Sequence, residues 1–290
     1  MAIMTRDQDG WCSTQLRKAM ERQNITPICF DYRAIIGRIN YTPEASVKEV
    51  DLLQDVDAMI TRPIGRGSLE EILFRMDLLH KLERLGLVII NPPLAIERSV
   101  NKYCSLTLFQ ENGLPVPRTA VTESPDEALK CFHELGGDVV VKPLFGSRGV
   151  GSTRITDPDI ATRVFLAISF HHGVLYLQEF IPHGGSDIRA FVIGDRVVAA
   201  MRRISTNWKT NVSLGAKPVS LNLSQELETL AVKAAKVIGC KVTGVDIIEG
   251  PEGPVVIELN SQPGWRGLQS VTKTSIADEI ISYILSELRS

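Results

Sequence analysis

Residues 242–260 read VTGVDIIEGPEGPVVIELN, two apolar runs joined by the turn GPEGP. A connection that short makes the two runs each other's partner, so they pair as an antiparallel hairpin. Successive strand side chains alternate between faces, and residues two apart share one. Val256, Glu258 and Asn260 therefore share a face, and Val255, Ile257 and Leu259 the other. Pairing brings Asp246 close to Glu258, and the second run ends before Pro263-Gly264. Two acids and an amide at a strand end form either a solvated edge or a ligand set. Their oxygens are hard donors suited to Mg²⁺, which binds through one or two carboxylates, waters and substrate phosphates.

The rest of the chain alternates strand and helix patterns, without repeats or low-complexity segments. The spacing predicts a helix over 13–23, a strand over 25–30, a buried strand over 57–61, a helix over 68–86 and a strand over 87–91. In the 68–86 helix Ser68 is the N-cap, Glu71 closes a capping box and Gly86 stops the helix. This order predicts a small parallel α/β layer. A Pro-Pro connection, a helix and a Gly-Leu-Pro exit over 91–117 mark the first boundary. Beyond it the pattern predicts helices over 124–137, 157–172, 224–239 and 275–289, and strands over 138–143 and 174–181. A hairpin over 186–204 turns at Gly194-Asp195.

Composition removes several function classes. With 290 residues, 44% hydrophobic and 23% charged, the chain has material for two or three lobes with real cores. A net charge of −2 leaves no global footprint for nucleic acid or an anionic membrane. No apolar run approaches the roughly 20 residues of a membrane span, and MAIMTRDQDG is no signal peptide. The five cysteines are dispersed and free of CxxC pairs, so neither a disulfide framework nor a zinc site is expected, and a cytoplasmic location fits.

Three further stretches gather polar groups where strands end. Lys142 closes VVVK and is followed by Gly146, Ser147, Gly149 and Gly151, either a plain flexible turn or a loop turning N–H groups toward phosphate. It is not a Walker A loop, because the lysine precedes the glycines. In LQEFIP, Glu179 is either the outward acid of a core strand or a ribose ligand. Asp187 and Arg189 share a face, and Arg202, Arg203, Lys209, Thr210 and Asn211 follow in a run that is either a solvated face or part of the same site.

Together with Lys102, the stretches VVVKPLFGSRGVG, LQEFI, DIRAFVIGDRVVAAMRR, TNWKTN, VDII and VIELNSQPGW resemble the ATP-grasp fold, in particular the RimK-like ligases that join L-glutamate to a carboxylate. The likeness covers roughly residues 90–290 and implies an α/β architecture. A pre-ATP-grasp domain over 1–97 would precede a small lid subdomain over 98–182 and a C-terminal subdomain with the metal site over 183–290. By the same resemblance, Lys102 and Lys142 contact the phosphates of ATP and the 146–151 loop covers them. Glu179, Phe180 and Ile181 meet adenine and ribose, while Asp187, Lys209, Thr210 and Asn211 border the nucleotide. Asp246, Glu258 and Asn260 hold two Mg²⁺ or Mn²⁺. Arg203, with Arg202 as its rival, faces the reacting acyl group.

The implied reaction makes an acyl phosphate of an acceptor carboxylate, which the α-amine of glutamate then attacks to give an amide. Metal ions, lysines and an arginine would neutralise the charge that develops. No covalent nucleophile is needed, which agrees with five histidines that have no evident partners. TRPIGRGSLEEILFRMDLLHKLE, VKPLFGSRGVG and WKTNVSLGAKP favour a tetrahydromethanopterin-type acceptor over a ribosomal protein tail or coenzyme F420. Arg62 and Arg66, just before a capped helix, form either a solvated loop or an anion site for that acceptor. A homo-oligomer is expected. A non-catalytic nucleotide-binding module is the alternative class, and a Rossmann dehydrogenase is disfavoured because no GxGxxG follows the first strand.

Overall fold

Short apolar runs without alternation make strands that are covered on both faces. The computed structural model describes residues 1–65, 67–146 and 149–289. It opens with β1 (Ala2–Met4), α1 (Trp11–Arg22) and β2 (Ile28–Phe30), then β3 (Ile35–Gly37), β4 (Ala45–Val47) and β5 (Val50–Asp51), and closes this part with β6 (Ala58–Thr61), α2 (Leu69–Arg84) and β7 (Val88–Ile90). The parallel layer expected from the sequence is present, with strand order β2-β1-β6-β7. The expected capping box is present too: Ser68 Oγ accepts from the Glu71 N–H, and Glu71 Oε2 accepts from the Ser68 N–H at 2.8 Å. The sequence reading missed β1 and the small antiparallel sheet of β3, β4 and β5. Runs of two or three residues are too short to show a period.

The single helix expected over 91–117 is two, α3 (Pro93–Val100) and α4 (Lys102–Glu111). Asn101 divides them, with extended backbone and a side chain that accepts from the N–H groups of Tyr103 and Cys104. An asparagine free to cap a helix competes with its continuation. Next come β8 (Thr119–Thr122), α5 (Pro125–Glu134), β9 (Val139–Lys142), β10 (Thr153–Ile155), α6 (Pro158–Phe170) and β11 (Leu175–Glu179), whose strands form an antiparallel sheet ordered β10-β9-β11-β8. Val139, Val141, Leu175 and Leu177 pack under Phe132 of α5 and Phe165 of α6. Strand alternation then sends Val140, Lys142 and Gln178 to the opposite face.

The chain ends with β12 (Ser186–Ile193), β13 (Arg196–Ile204), β14 (Lys217–Ser220), α7 (Gln225–Ile238), β15 (Val242–Gly250), β16 (Gly253–Asn260), α8 (Arg266–Gln269) and α9 (Ile276–Glu287). The strands form an antiparallel sheet ordered β14-β13-β12-β15-β16. The β15–β16 hairpin places Asp246 directly opposite Glu258, with a bulge at Ile257 that breaks the expected alternation. Val256 joins Leu259 in the core under α7 instead of sharing a face with Glu258, and Ile257 lines the cleft beside Glu258. One face of this sheet packs Ile188, Ala190, Val245 and Val256 against α7 and Phe109 of α4. The other face is divided. Phe191, Ile193, Met201 and Val242 lie in a core with α9 and α1, while Asp187, Arg189, Arg203 and Asp246 continue the same face beyond it. Among the described residues no helix is long and apolar enough to cross a membrane.

Asn91, at the end of β7, joins the parallel layer to this sheet. Its Oδ1 accepts from the N–H groups of Lys241 and Val242 at 2.7 and 2.8 Å. Its Nδ2 donates to the carbonyls of Val242 (2.7 Å) and Ser261. The side chain is 1% exposed, so water cannot replace it. Asn91→Ala is expected to cost about 3 kcal/mol or more, because it orphans several buried backbone groups at once. A denaturation midpoint equal to wild type would show that Asn91 does not carry this junction.

Candidate active site

Four neighbouring strands, β13, β12, β15 and β16, build the floor of a cleft from charged side chains. Register sets Asp187 opposite Arg203, Arg189 opposite Asp246, and Asp246 opposite Glu258. Arg203 donates through Nε to Asp187 Oδ1 at 2.7 Å and through Nη2 to Oδ2, and its Nη2 also lies 3.1 Å from Asp246 Oδ1. Arg189 grips both oxygens of Asp246, with Nη2 to Oδ2 at 2.7 Å. Its side chain crosses Gly244, where a Cβ would sit 2.9 Å from Arg189 Cδ. Burial alone would raise the Asp246 pKa, but the two guanidiniums outweigh it and hold the carboxyl below its ordinary value. Burial pushes Asp187 upward, against the pull of Arg203. Burial would also lower Arg203, yet its two carboxylates hold it above the usual arginine range. Glu258 has no hydrogen bond or ion pair among the described residues.

The roof comes from the β9–β11 sheet. Lys142 Nζ donates to Gln178 Oε1 at 2.5 Å, and Gln178 is itself fixed by donating to Thr119 Oγ1 at 3.1 Å. Burial depresses the Lys142 pKa to about 8, with Glu258 opposing the shift and Lys102 adding to it. Lys102, at the start of α4, donates to the Gly146 carbonyl at 3.0 Å. Gly149 has φ +69°, and a Cβ there would lie 2.5 Å from Asn211 Oδ1, so the loop needs glycine for conformation and for space. Lys209 Nζ reaches the Gly149 carbonyl at 3.5 Å, tying loop to floor.

Between floor and roof runs the segment Glu179-Phe180-Ile181. The Glu179 carboxylate accepts from the Arg118 backbone N–H at 2.8 Å and from its Nε at 2.6 Å, so this acid is engaged rather than free. Phe180 stands edge-on to Trp208, 6.4 Å between centroids, with the Arg154 guanidinium 3.5 Å from its own ring centroid. Thr210 bonds to Asp187. The cleft encloses about 860 Å³, part of it open to solvent.

The cleft gathers Lys102, Lys142, Gly146, Gly149, Glu179, Phe180, Ile181, Asp187, Arg203, Lys209, Thr210, Asn211, Asp246 and Glu258 from the set expected by sequence. Arg202 is not among them. It points to the other face, pairing with Glu249 at 2.7 Å and with Ser186 Oγ at 3.1 Å, because neighbours on a strand alternate. Gly151 and Asn260 do not line the cleft, although Asn260 lies opposite Gly244 in the strand pair. Ser147 and Arg66 lie outside the described residues. Arg62 is buried and so does not belong to a solvated loop, and the α2 N-terminus carries its own capping box; Arg66, the other arginine of that alternative, lies outside the described residues. Sequence reasoning missed Gln178, His183 and Trp208, which also line the cleft, and the role of Arg189. The spacing of two between Asp187 and Arg189 was the available signal; for Gln178, one polar residue in an apolar strand, it was weak.

Glu258 has both oxygens free among the described residues and suits a hard divalent cation. Asp246 opposite it is held as the carboxylate but would have to share its oxygens with Arg189 and Arg203. No described group of three or more His, Cys, Asp and Glu side chains forms a metal site, so substrate phosphates would have to complete the shell.

Residues 99–284 match the RimK-like ATP-grasp domain. The chain is 34% identical to tetrahydromethanopterin:alpha-L-glutamate ligase of Methanococcus maripaludis, over 99% of this chain and 98% of that protein. It is 39% identical to a probable alpha-L-glutamate ligase of Legionella pneumophila, over 71% of this chain and 70% of that one. The fold is shared with the ATP-grasp ligase PsnB, solved with minimal precursor, Mg and ADP, at a TM-score of 0.76 and 21% identity over 100% of this chain and 98% of that one.

A lysine that titrates near 8 carries its proton below that value and loses it above. If nucleotide phosphates bind here, affinity in the metal-free protein should fall as pH rises through about 8, and Lys142→Met should abolish the slope. A flat titration for the unaltered protein would count against a phosphate contact by Lys142. Gly149→Val should weaken nucleotide binding about tenfold or more, because the side chain meets Asn211 and forbids φ +69°.

Proposed function

This chain belongs to the RimK-like ATP-grasp family, and we propose that it joins the α-amine of L-glutamate to the carboxylate of a tetrahydromethanopterin-type coenzyme, releasing ADP and phosphate. The ligase chemistry is supported by one observation above all: Lys102, Lys142 and Arg203 meet Asp246 and Glu258 in a single cleft. The choice of acceptor is supported by relatives named for that reaction along their full length.

The chain's own groups supply the steps. Lys102 and Lys142 neutralise the phosphates, and Gln178 aims Lys142. The loop at Gly146–Gly151 closes over the nucleotide and excludes water, protecting an acyl phosphate from hydrolysis. Asp187 holds Arg203 in a fixed fork, from which it stabilises the oxyanion formed when the amine attacks. Asp246, Glu258 and Asn260 would hold Mg²⁺ or Mn²⁺, which would supply charge neutralisation on the transferring phosphoryl group. Covalent catalysis is not called upon, and burial raises the pKa of Cys29, Cys131 and Cys240, leaving them poor nucleophiles.

Two experiments test this. With ATP, Mg²⁺, L-glutamate and the coenzyme, mass spectrometry should find one glutamyl addition, with ADP as the other product; release of AMP, or equal use of glutamine, would overturn it. Modification of a ribosomal protein tail alone would keep the ligase and replace the acceptor. Glu258→Ala should lower kcat at least 100-fold, on the order of losing one strong electrostatic group, and leave the thermal midpoint nearly unchanged because Glu258 supports no packing. Wild-type turnover by Glu258→Ala would remove this carboxylate from the chemistry.

A further inference from the structure

A second, smaller cavity lies between the parallel layer and the segment that follows β16, and it shares no lining residue with the nucleotide cleft. It encloses about 260 Å³, part of it open to solvent. Its walls are largely apolar, with Leu16, Ile60 and Ile90 on one side and Val242, Trp265 and Ile280 on the other. Into this setting β6 delivers Arg62, one residue beyond its end.

Arg62 is 8% exposed, and among the described residues it forms no ion pair. Its Nη1 donates to the Pro263 carbonyl at 2.9 Å, and its guanidinium lies 5.0 Å from the Trp265 ring centroid. The other buried arginines have carboxylate partners: Arg75 pairs with Glu71, and Arg203 with Asp187 and Asp246. Burial depresses the Arg62 pKa, and the acidic group that acts on it is the Cys12 thiol, not a carboxylate. A charge taken out of water without a counter-ion is costly, and one neutral hydrogen bond to a carbonyl does not require it.

One more donor lies in the same segment: Trp265 Nε1 is buried with no hydrogen-bond partner among the described residues. Trp265 is 1% exposed and lines this cavity. A guanidinium fork with an unsatisfied N–H group nearby complements a carboxylate. The segment starts directly after Asn260, two residues beyond Glu258 of the cleft.

We propose that Arg62, helped by Trp265 Nε1, binds a free carboxylate of a reactant other than the nucleotide, either on L-glutamate or on the acceptor. The proposal rests on the ligase reading above for the identity of those reactants. It makes Arg62 the counter-charge for substrate, which explains why the free protein leaves it unpaired.

The test uses the full chain with ADP bound. The indole N–H signals of Trp11, Trp208 and Trp265, assigned by single Trp→Phe substitutions, are followed during titration with L-glutamate, with tetrahydromethanopterin, or with L-glutamate dimethyl ester. The Trp265 signal should move with one of the two carboxylates and not with the ester; which one moves it names the source. Arg62→Lys keeps the charge but loses the fork, and should raise KM for that same reactant about tenfold or more while the KM for ATP stays within about twofold. A Trp265 signal that ignores both carboxylates overturns the proposal, as does an Arg62→Lys enzyme with both carboxylate KM values unchanged. If wild-type protein ligates no glutamate, the ligase reading falls, and the indole titration still decides whether this site takes a carboxylate.

Discussion

Four charges alternate across three neighbouring strands: Asp187, Arg203, Asp246 and Arg189. Each would be costly alone in so buried a place, and removing one partner from such a set typically costs about 3–5 kcal/mol. Each is satisfied only because antiparallel register sets it opposite the next. The arrangement also fixes the direction in which each group points. Arg203 cannot swing away from Asp187 without leaving a buried carboxylate unpaired, so its donors are fixed before any substrate arrives. Gly244 belongs to the same device, since only a residue without Cβ lets Arg189 lie across β15 to reach Asp246.

That floor becomes a cleft because a second sheet hangs over it with opposite chemistry. The β9–β11 sheet commits its Val139, Val141, Leu175 and Leu177 face to α5 and α6, which leaves Val140, Lys142 and Gln178 to face inward. Lys142 is drawn toward Glu258 and repelled by Lys102 while burial disfavours its charge, so it is poised to gain from an arriving anion. Lys102 and Lys209 both reach backbone carbonyls on this side of the cleft, those of Gly146 and Gly149.

The parallel layer joins this apparatus at Asn91 and along α1. Asn91 hydrogen-bonds the start of β15 and the segment after β16, and α1 packs with α9 in a common core. The seam therefore runs along the same chain segment, 260–265, that leads away from Glu258 and Asn260, and there the unpaired Arg62 is buried. Joining the layers and burying an arginine against Pro263 and Trp265 are thus tasks of one stretch of backbone.

Much of this was legible in the residues. The 242–260 hairpin, the pairing of Asp246 with Glu258, the capping box at Ser68 and the parallel layer follow from turn length and local hydrogen bonding, which act over a few residues. The bulge at Ile257 that moves Val256 off the face of Glu258, by contrast, left no mark in the alternation. Sequence fixed the alternatives for the arginines but not the choice: Arg202 and Arg203 are equivalent as letters, and only the pairing of β13 with β12 turns one to Asp187 and the other to Glu249. The same limit hid Gln178, Trp208 and His183, whose neighbours in the cleft are distant in the chain. It also put Arg62 at a helix terminus when the interior claims it, because burial is settled by what packs around a residue after folding. Local chemistry wrote the elements and their faces; long-range packing decided which charges meet.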